Sequence, residues 1–463
     1  MSLLLGIDLG TSYFKVGLFD ASGGLKGLGR VAVNKTVPAS GRCELAVGEF
    51  WSGLRHGLAE ALAQAGALSS EITGMSYSSQ ASTFLLLDAN DEPLTPFIVW
   101  LDSRGDPVEP ELDAFAHTEI FRTTIGFAGL SAQSAVTKWR WFERNAPSVW
   151  DRTRHIMTIS DYLTFALTGE RVGDASTAAF LALYDLANKQ WWPSALQTFA
   201  VDRTRLSTPL RPGSPAGRTN ADAAALLGVP AGIPFAVGAL DHHAAAIGSG
   251  LGRLADMSIS TGTVLAALAL VDEPEAQPQC FHGCHTDGVR FWRLAFDPNG
   301  AGQLEDYQRR FAPERSIEEL IALAAHASAG AAWKPGAASD QGAAVRAVLE
   351  RVAATHQALV CRVTDDGTGA RLPRSVVATG GGARSPLWLQ ITADMLGLPV
   401  VLPACVERAC LGAAAFAAVA AGCHATISDA TDAMVRLERV FEASPSATAL
   451  YRDLAAKSIA ESG

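Results

Sequence analysis

The strongest constraint on this chain is a pair of similar segments about half the sequence apart. Residues 3–7 form a short apolar run, and Asp8-Leu9-Gly10-Thr11-Ser12 supplies turn chemistry. From Tyr13 to Phe19, Phe14, Val16 and Leu18 alternate with Tyr13, Lys15 and Gly17. This reads as a strand, a Gly-Thr tip and a returning strand. Residues 256–260, then Thr261-Gly262-Thr263, then residues 264–271 repeat the pattern. Two such hairpins point to two similar lobes. A chain of 463 residues is long enough for two or three domains, each with its own core.

The flanking pattern extends each hairpin. A third strand is expected over residues 25–33. A helix is predicted from Val47 to Ala65, with Phe50, Leu54, Leu58 and Leu62 at four-residue spacing. Another strand is expected over residues 72–77. The order β-β-β-α-β implies a mixed sheet rather than strict βαβ alternation. Later, residues 234–240 read as a strand ending at Asp241, and His242-His243-Ala244-Ala245-Ala246 reads as the start of a helix. Residues 375–378 read as a strand that runs into Thr379-Gly380-Gly381-Gly382-Ala383. A helix then begins at Ser385-Pro386, where proline suits the first turn. Leu387, Ile391 and Met395 line one face of it, Gly397 and Pro399 close it, and a strand is expected over 400–402. The class is α/β.

Composition removes several alternatives. With 48% hydrophobic and 18% charged residues, the chain can bury a core and does not read as disordered. Its 37 Lys and Arg against 47 Asp and Glu give a net charge of −10. That balance lacks a general attraction to nucleic acid or anionic membrane, so neither is expected as a partner. The Ala- and Gly-rich run 409–423 reads as a packed core helix rather than a membrane span. The start, Met-Ser-Leu-Leu-Leu-Gly-Ile-Asp, has no basic region before its apolar residues, so a cytoplasmic location is expected. Seven scattered cysteines, an odd number, fit reduced thiols. Cys280, His282, Cys284 and His285 are four possible metal ligands close together, but their spacing is not a usual zinc pattern.

Three glycine- and hydroxyl-rich turns point to a polyphosphate. Glycine lets backbone N–H groups approach phosphate oxygens without a Cβ in the way, and Ser or Thr hydroxyls add donors. Neither a Walker A loop nor a G-x-G-x-x-G fingerprint is present. Asp8 precedes a hydroxyl-rich turn and is a candidate to hold a hydrated Mg2+. Asp241 stands at a strand end, where sites in α/β folds gather, although Asp at a helix start is also an ordinary N-cap.

Assembled, these residues resemble the FGGY carbohydrate kinases, the group of xylulokinase, gluconokinase and glycerol kinase within the actin/Hsp70/hexokinase superfamily. Gly6-Ile7-Asp8-Leu9-Gly10-Thr11-Ser12 with Lys15 is similar to the first phosphate motif. Ser78-Ser79-Gln80 resembles the substrate loop, and Trp100-Leu101-Asp102-Ser103-Arg104 the Trp-x-Asp-x-Arg segment. Lys138-Trp139-Arg140-Trp141-Phe142-Glu143 resembles a signature helix, and Ser160-Asp161-Tyr162-Leu163 with Leu167-Thr168-Gly169 another typical block. Gly238-Ala239-Leu240-Asp241 matches the segment of the catalytic aspartate. Thr261-Gly262-Thr263 resembles the second phosphate motif, and Gly380-Gly381-Gly382-Ala383-Arg384-Ser385-Pro386 the adenosine motif.

The resemblance implies two ribonuclease H-like, actin-like ATPase lobes around a deep cleft. An N-terminal, sugar-side lobe would span 1–236 and a C-terminal, ATP-side lobe 237–435. A helix over 436–463 would pack back on the N-terminal lobe. ATP and Mg2+ are the implied cofactors and a small sugar or polyol the implied partner, with a homodimer as a family-level expectation. Asp241 is the implied base. Gln80, Ala81, Ser82, Trp100, Asp102, Arg104, Asp241 and His242 would meet the sugar, with Trp100 stacking on it and Asp102 and Gln80 taking hydroxyls. Gly10, Thr11, Ser12, Lys15, Thr261, Gly262, Thr263, Gly380, Gly381, Gly382 and Ser385 would hold the nucleotide, and Asp8 the metal. The chain departs from the family pattern in Gln80-Ala81-Ser82, where glycerol and xylulose kinases carry larger polar or charged residues. Ala135 and His242 are departures too. The altered loop points to a reshaped pocket. The alternative function class is a non-catalytic ATP switch or sugar sensor on the same fold.

Overall fold

A computed structural model of the chain describes residues 2–262, 264–273, 279–297, 300, 302–331, 340–365 and 373–462. The chain forms two compact units. The first comprises Met1–Gly248, Val271–Trp292 and Glu407–Val435, and the second Ser249–Leu270, Arg293–Val406 and Arg436–Gly463.

In the first unit, β1 (Leu3–Leu9), β2 (Tyr13–Phe19) and β3 (Leu25–Ala32) form an antiparallel meander. Strand β4 (Ile72–Ser79) adds parallel to β1, and β5 (Pro234–Ala236) adds parallel to β4. The order is β3-β2-β1-β4-β5. The strand expected over 234–240 is broken after Ala236. It resumes as β6 (Ala239–Leu240), which also pairs with β4. The helix Val47–Ala65 has the predicted bounds, and its Phe50, Leu54 and Leu58 bury into the core of this unit.

The predicted Ala-rich core helix is Arg408–Ala420, packed on β1 and β4. Another neighbour is the helix Asp241–Gly248. The two backbones touch directly: a Cβ on Gly412 would lie 1.9 Å from the Ala244 carbonyl oxygen, and one on Gly248 would lie 1.9 Å from that of Arg408. Only glycine allows this approach, and it seats the helix that begins at Asp241.

The second unit repeats the plan. Strands β7 (Met257–Thr261) and β8 (Leu265–Val271) form the second hairpin. With β9 (Phe291–Asp297), β10 (Val376–Thr379), β11 (Val400–Pro403) and β12 (Leu437–Phe441), the order is β9-β8-β7-β10-β11-β12. The labelled strands match between the two sheets, β3-β2-β1-β4-β5 against β9-β8-β7-β10-β11, with Pro215–Arg218 flanking β5 and Phe281–Cys284 flanking β9, and in both β1–β4 and β7–β10 the pairing is parallel. The C-terminal helix Pro445–Ser462, expected to pack on the N-terminal lobe, lies against the helix Pro386–Leu396 of the second unit. Its buried Tyr451 holds it there: the hydroxyl donates to Glu350 (2.9 Å), whose carboxylate also accepts from Arg346 Nε (3.0 Å). Among the described residues, no helix is long and apolar enough to cross a membrane.

Candidate active site

Sheet register builds the first cluster. Asp8 is directly opposite Ser78 on β4 and Lys15 on β2, so the three side chains stand in a row on one face. Ser78 Oγ donates to Asp8 Oδ1 at 3.0 Å, and Lys15 Nζ lies 3.4 Å from Asp8 Oδ2. Lys15 Nζ is also 3.0 Å from Glu407 Oε2, just before the Ala-rich helix. Burial raises the Asp8 carboxyl above its ordinary value. The charge of Asp241 adds to that rise, while Lys15 and Ser78 oppose it. For Lys15, burial favours the neutral amine, but Asp8 and Glu407 outweigh it and raise the ammonium above its usual range.

The Gly-Thr tip is tied to the predicted acceptor residues. Trp100 Nε1 donates to Thr11 Oγ1 at 2.8 Å. The Trp100 backbone N–H donates to Thr83 Oγ1 (2.9 Å), which donates to Gln80 Oε1 (2.8 Å). Gln80 Nε2 returns to the Leu9 and Gly10 carbonyls, at 3.3 Å each. Lys35 Nζ reaches the Thr11 carbonyl at 2.6 Å. Thr11 and Trp100 are half-buried and Ser12 is exposed, whereas Gln80 is buried and committed to this network. Ala81 and Ser82 border it half-buried, with Ser82 at φ 58°, a strained value for a residue with a side chain.

The structure places Asp102 and Arg104 in a buried clamp. Arg104 Nε and Nη2 donate to Asp102 Oδ1 and Oδ2, both at 2.8 Å, and the Cys43 N–H donates to Oδ2 at 2.7 Å. Arg104 Nη2 also reaches Glu44 Oε1 at 2.6 Å. Asp102 is fully buried, so its oxygens serve Arg104 and the backbone. Burial opposes its ionisation, but the Arg104 and backbone donors prevail and hold it below the usual range. Lys138, from the signature helix, is also fully buried, and its Nζ donates to the Val99 and Trp100 carbonyls, each at 3.1 Å. Burial pulls its ammonium down to about 7.

Asp241 is the first residue of its helix, at the end of β6. Asp241 Oδ1 accepts the His242 N–H at 2.7 Å, and both residues are half-buried. Because β1 and β6 both run parallel to β4, Asp8 and Asp241 lie toward the same, carboxyl-terminal end of these strands.

In the second unit, the Thr261-Gly262 tip and the loop 380–382 are packed together. Gly380 has φ +82°, and a Cβ there would lie 2.6 Å from the Thr261 carbonyl, while one on Gly382 would lie 2.4 Å from Thr261 Cγ2. Thr261 Oγ1 is paired with His356 Nε2 at 2.9 Å. Burial lowers that imidazole to about 4, which keeps it neutral at pH 7. Gly381 opens a short turn, and Ser385 caps the helix Pro386–Leu396 by accepting the Trp388 N–H at 3.2 Å. Thr263 lies outside the described residues.

The Cys/His cluster is dispersed among other partners. His282 Nδ1 pairs with the Gly126 carbonyl (3.0 Å), Cys284 Sγ with that of Leu186 (3.9 Å), and His285 Nδ1 with Asp287 (2.9 Å). Among the described residues, no group of three or more His, Cys, Asp or Glu converges as metal ligands. Sequence reasoning missed Glu407, Thr83, His356 and the role of Ser78. Ser78 carried a signal in its position opposite Asp8; the others reach the site through distant packing.

The model of the FGGY carbohydrate kinase N-terminal domain matches residues 3–248, and that of the C-terminal domain matches residues 204–421. Autoinducer-2 kinase from Escherichia coli K12 is 26% identical, covering 97% of this chain and 92% of the relative. L-xylulose/3-keto-L-gulonate kinase from the same strain is also 26% identical, over 92% of this chain and 90% of its own. The crystal structure of xylulose kinase from Rhodospirillum rubrum superposes with TM-score 0.86 at 27% identity, covering 98% of this chain and 96% of that one. Plasmodium falciparum glycerol kinase with ADP shares the fold at TM-score 0.86 and 17% identity, covering 100% and 98%. The two lobe models match in order along a chain that repeats one sheet plan twice, and the chain therefore belongs to the FGGY family of carbohydrate kinases, ATP-dependent enzymes that phosphorylate sugars.

Proposed function

We propose that this kinase transfers the γ-phosphoryl group of ATP to a hydroxyl of an open-chain ketose such as a pentulose, or of a polyol, with Asp241 as the base. The observation that carries this reading is the pair of carboxylates at the carboxyl-terminal end of parallel strands, with Asp241 close enough to raise Asp8. Two carboxylates beside a hydroxyl-rich tip suit a hydrated divalent cation, with Asp8 as the residue to hold it. When bound, Mg2+ neutralises charge on the polyphosphate. The remaining work falls to the chain. Asp241 accepts the proton of the attacking hydroxyl, and Lys15 with the Gly10-Thr11-Ser12 tip offers positive charge and donors to the transferring group. Thr261, Gly262 and Thr263, the loop 380–382 and Ser385 take the nucleotide. Trp100 presents its ring to the acceptor, and Ala81, Ser82 and His242 shape the pocket around it. Gln80 and the Asp102–Arg104 clamp support that wall from behind. Relatives named as xylulose and L-xylulose/3-keto-L-gulonate kinases support a ketose acceptor.

The test is coupled ADP release over pentuloses, hexuloses, polyols and aldonates, with Asp241→Asn in parallel. Acceptor-dependent turnover is expected for the wild type. The variant should bind ATP and fold normally but lose at least about 10²-fold in turnover. Near-normal turnover of the variant would refute the base assignment. ATP turnover indifferent to every acceptor would instead favour the switch reading.

A further inference from the structure

Asp241 is delivered by a short strand. β6 holds only two residues, and β5 ends at Ala236 before it. So little pairing leaves the exit direction of the chain weakly determined. A hydrogen-bonded relay outside the sheet completes it. The Leu240 N–H, immediately before Asp241, donates to Ser176 Oγ at 2.8 Å. The Ser176 hydroxyl donates to Asp174 Oδ1 at 2.5 Å. That oxygen also accepts the Thr177 N–H (2.7 Å), while Oδ2 accepts Thr177 Oγ1 (2.8 Å) and the Tyr77 hydroxyl (3.1 Å). Asp174, Ser176, Thr177 and Tyr77 are all buried.

The chemistry of the relay is directional. The Leu240 N–H can only donate, and both Asp174 oxygens accept from their partners, so the single hydroxyl proton of Ser176 goes to Asp174. The serine lone pairs are then left for the Leu240 N–H. We infer that Ser176 and Asp174 are positioning residues that fix the direction in which Asp241 leaves β6, and with it the reach of the base toward the acceptor hydroxyl. This rests on Asp241 being the base. Neither Ser176 nor Asp174 touches a reacting atom. A base displaced by about 1 Å can lose up to about 10²-fold in rate.

The experiment compares Ser176→Ala, Asp174→Asn and Asp241→Asn, and combines Ser176→Ala with Asp241→Asn, in the full chain, reading kcat at saturating ATP and acceptor and KM from an ATP titration. Ser176→Ala should lower kcat about tenfold or more and leave KM for ATP within twofold. On the Asp241→Asn background, the same change should cost less than twofold, because the base it aims is gone. Ile72→Val, a core truncation at the far end of β4, serves as the stability control and should lower Tm with kcat unchanged. A Ser176→Ala enzyme within twofold of wild-type kcat would overturn the inference. So would an equal loss on the Asp241→Asn background, or an equal loss in the Ile72→Val control. If Ser176→Ala does not fold, Asp174→Asn is read against the same thresholds. Wild-type-like turnover by Asp241→Asn alone would instead remove the base, and the relay's purpose with it.

Discussion

One methyl group, placed on two glycines, tests how Asp241 is seated. In Gly412→Ala, the new Cβ would lie 1.9 Å from the Ala244 carbonyl oxygen, where ordinary contact begins at 3.4 Å. The helices Arg408–Ala420 and Asp241–Gly248 would have to separate by about 1.5 Å, and overpacking of this kind costs about 1–3 kcal/mol. At about 2–4 °C per kcal/mol for a large domain, Tm should fall by about 5 °C. Ala244 is within the first turn after Asp241, so the displacement reaches the proposed base, and kcat should drop at least about tenfold. Gly48 is the control. It is exposed in the helix Val47–Ala65, and an added methyl there would meet nothing within 4 Å, so Gly48→Ala should gain about 0.5 kcal/mol through helix propensity. Differential scanning calorimetry and the coupled assay read both quantities. A Gly412→Ala enzyme as stable and active as wild type, or a Gly48→Ala enzyme equally impaired, would refute backbone apposition as the seat of that helix.

Other consequences follow from the buried charges. Burial pushes Asp161 up to about 7 from 3.8, so the folded chain keeps this proton to higher pH than the unfolded chain. Its contribution is therefore complete below about pH 4 and is lost as pH rises toward 7, on the order of 4 kcal/mol. Urea unfolding from pH 4.5 to 7.5 should show Asp161→Asn with a flatter profile than wild type, and parallel profiles would contradict the argument. Lys15→Met leaves Asp8 and Glu407 without their shared cation, and should cost about 2 kcal/mol of stability as well as most of the turnover. Unchanged thermal unfolding would show that the bridge carries no net stability. Trp100→Phe keeps an aromatic face but removes the donor to Thr11, a loss of about 1 kcal/mol. Acceptor kcat/KM should fall about fivefold with KM for ATP little changed, and an unaltered kcat/KM would disconnect Trp100 from the Gly-Thr tip.

Much of the scaffold was legible because its signals are local. Alternation over Tyr13–Phe19, four-residue spacing over Val47–Ala65, and the Gly-Thr and Gly-Gly-Gly turns each act within a few residues. The predicted strand over 234–240 was too long because after Ala236 the Val237 backbone pairs with Gly213 and Ser214 instead, and the chain rejoins β4 only at Ala239. At Gly238 the chain passes so close to β4 that an added Cβ would lie 1.8 Å from the Tyr77 carbonyl, an approach that no pattern of neighbouring residues announces. Asp102 shows a similar limit. Its motif marked it as an acceptor contact, but its oxygens face Arg104 and the Cys43 N–H.

The sequence by itself determined the two hairpins, the α/β class and the presence of carboxylates at strand ends, since periodicity and turn chemistry need only neighbouring residues. Tertiary structure alone decided that Glu407 shares Lys15 with Asp8, that Lys138 lies buried beneath Trp100, and that Ser176 steers the residue before Asp241. Those pairings depend on how closely distant backbones approach, and close approach through a bare glycine or a buried hydroxyl leaves no periodic trace along the chain.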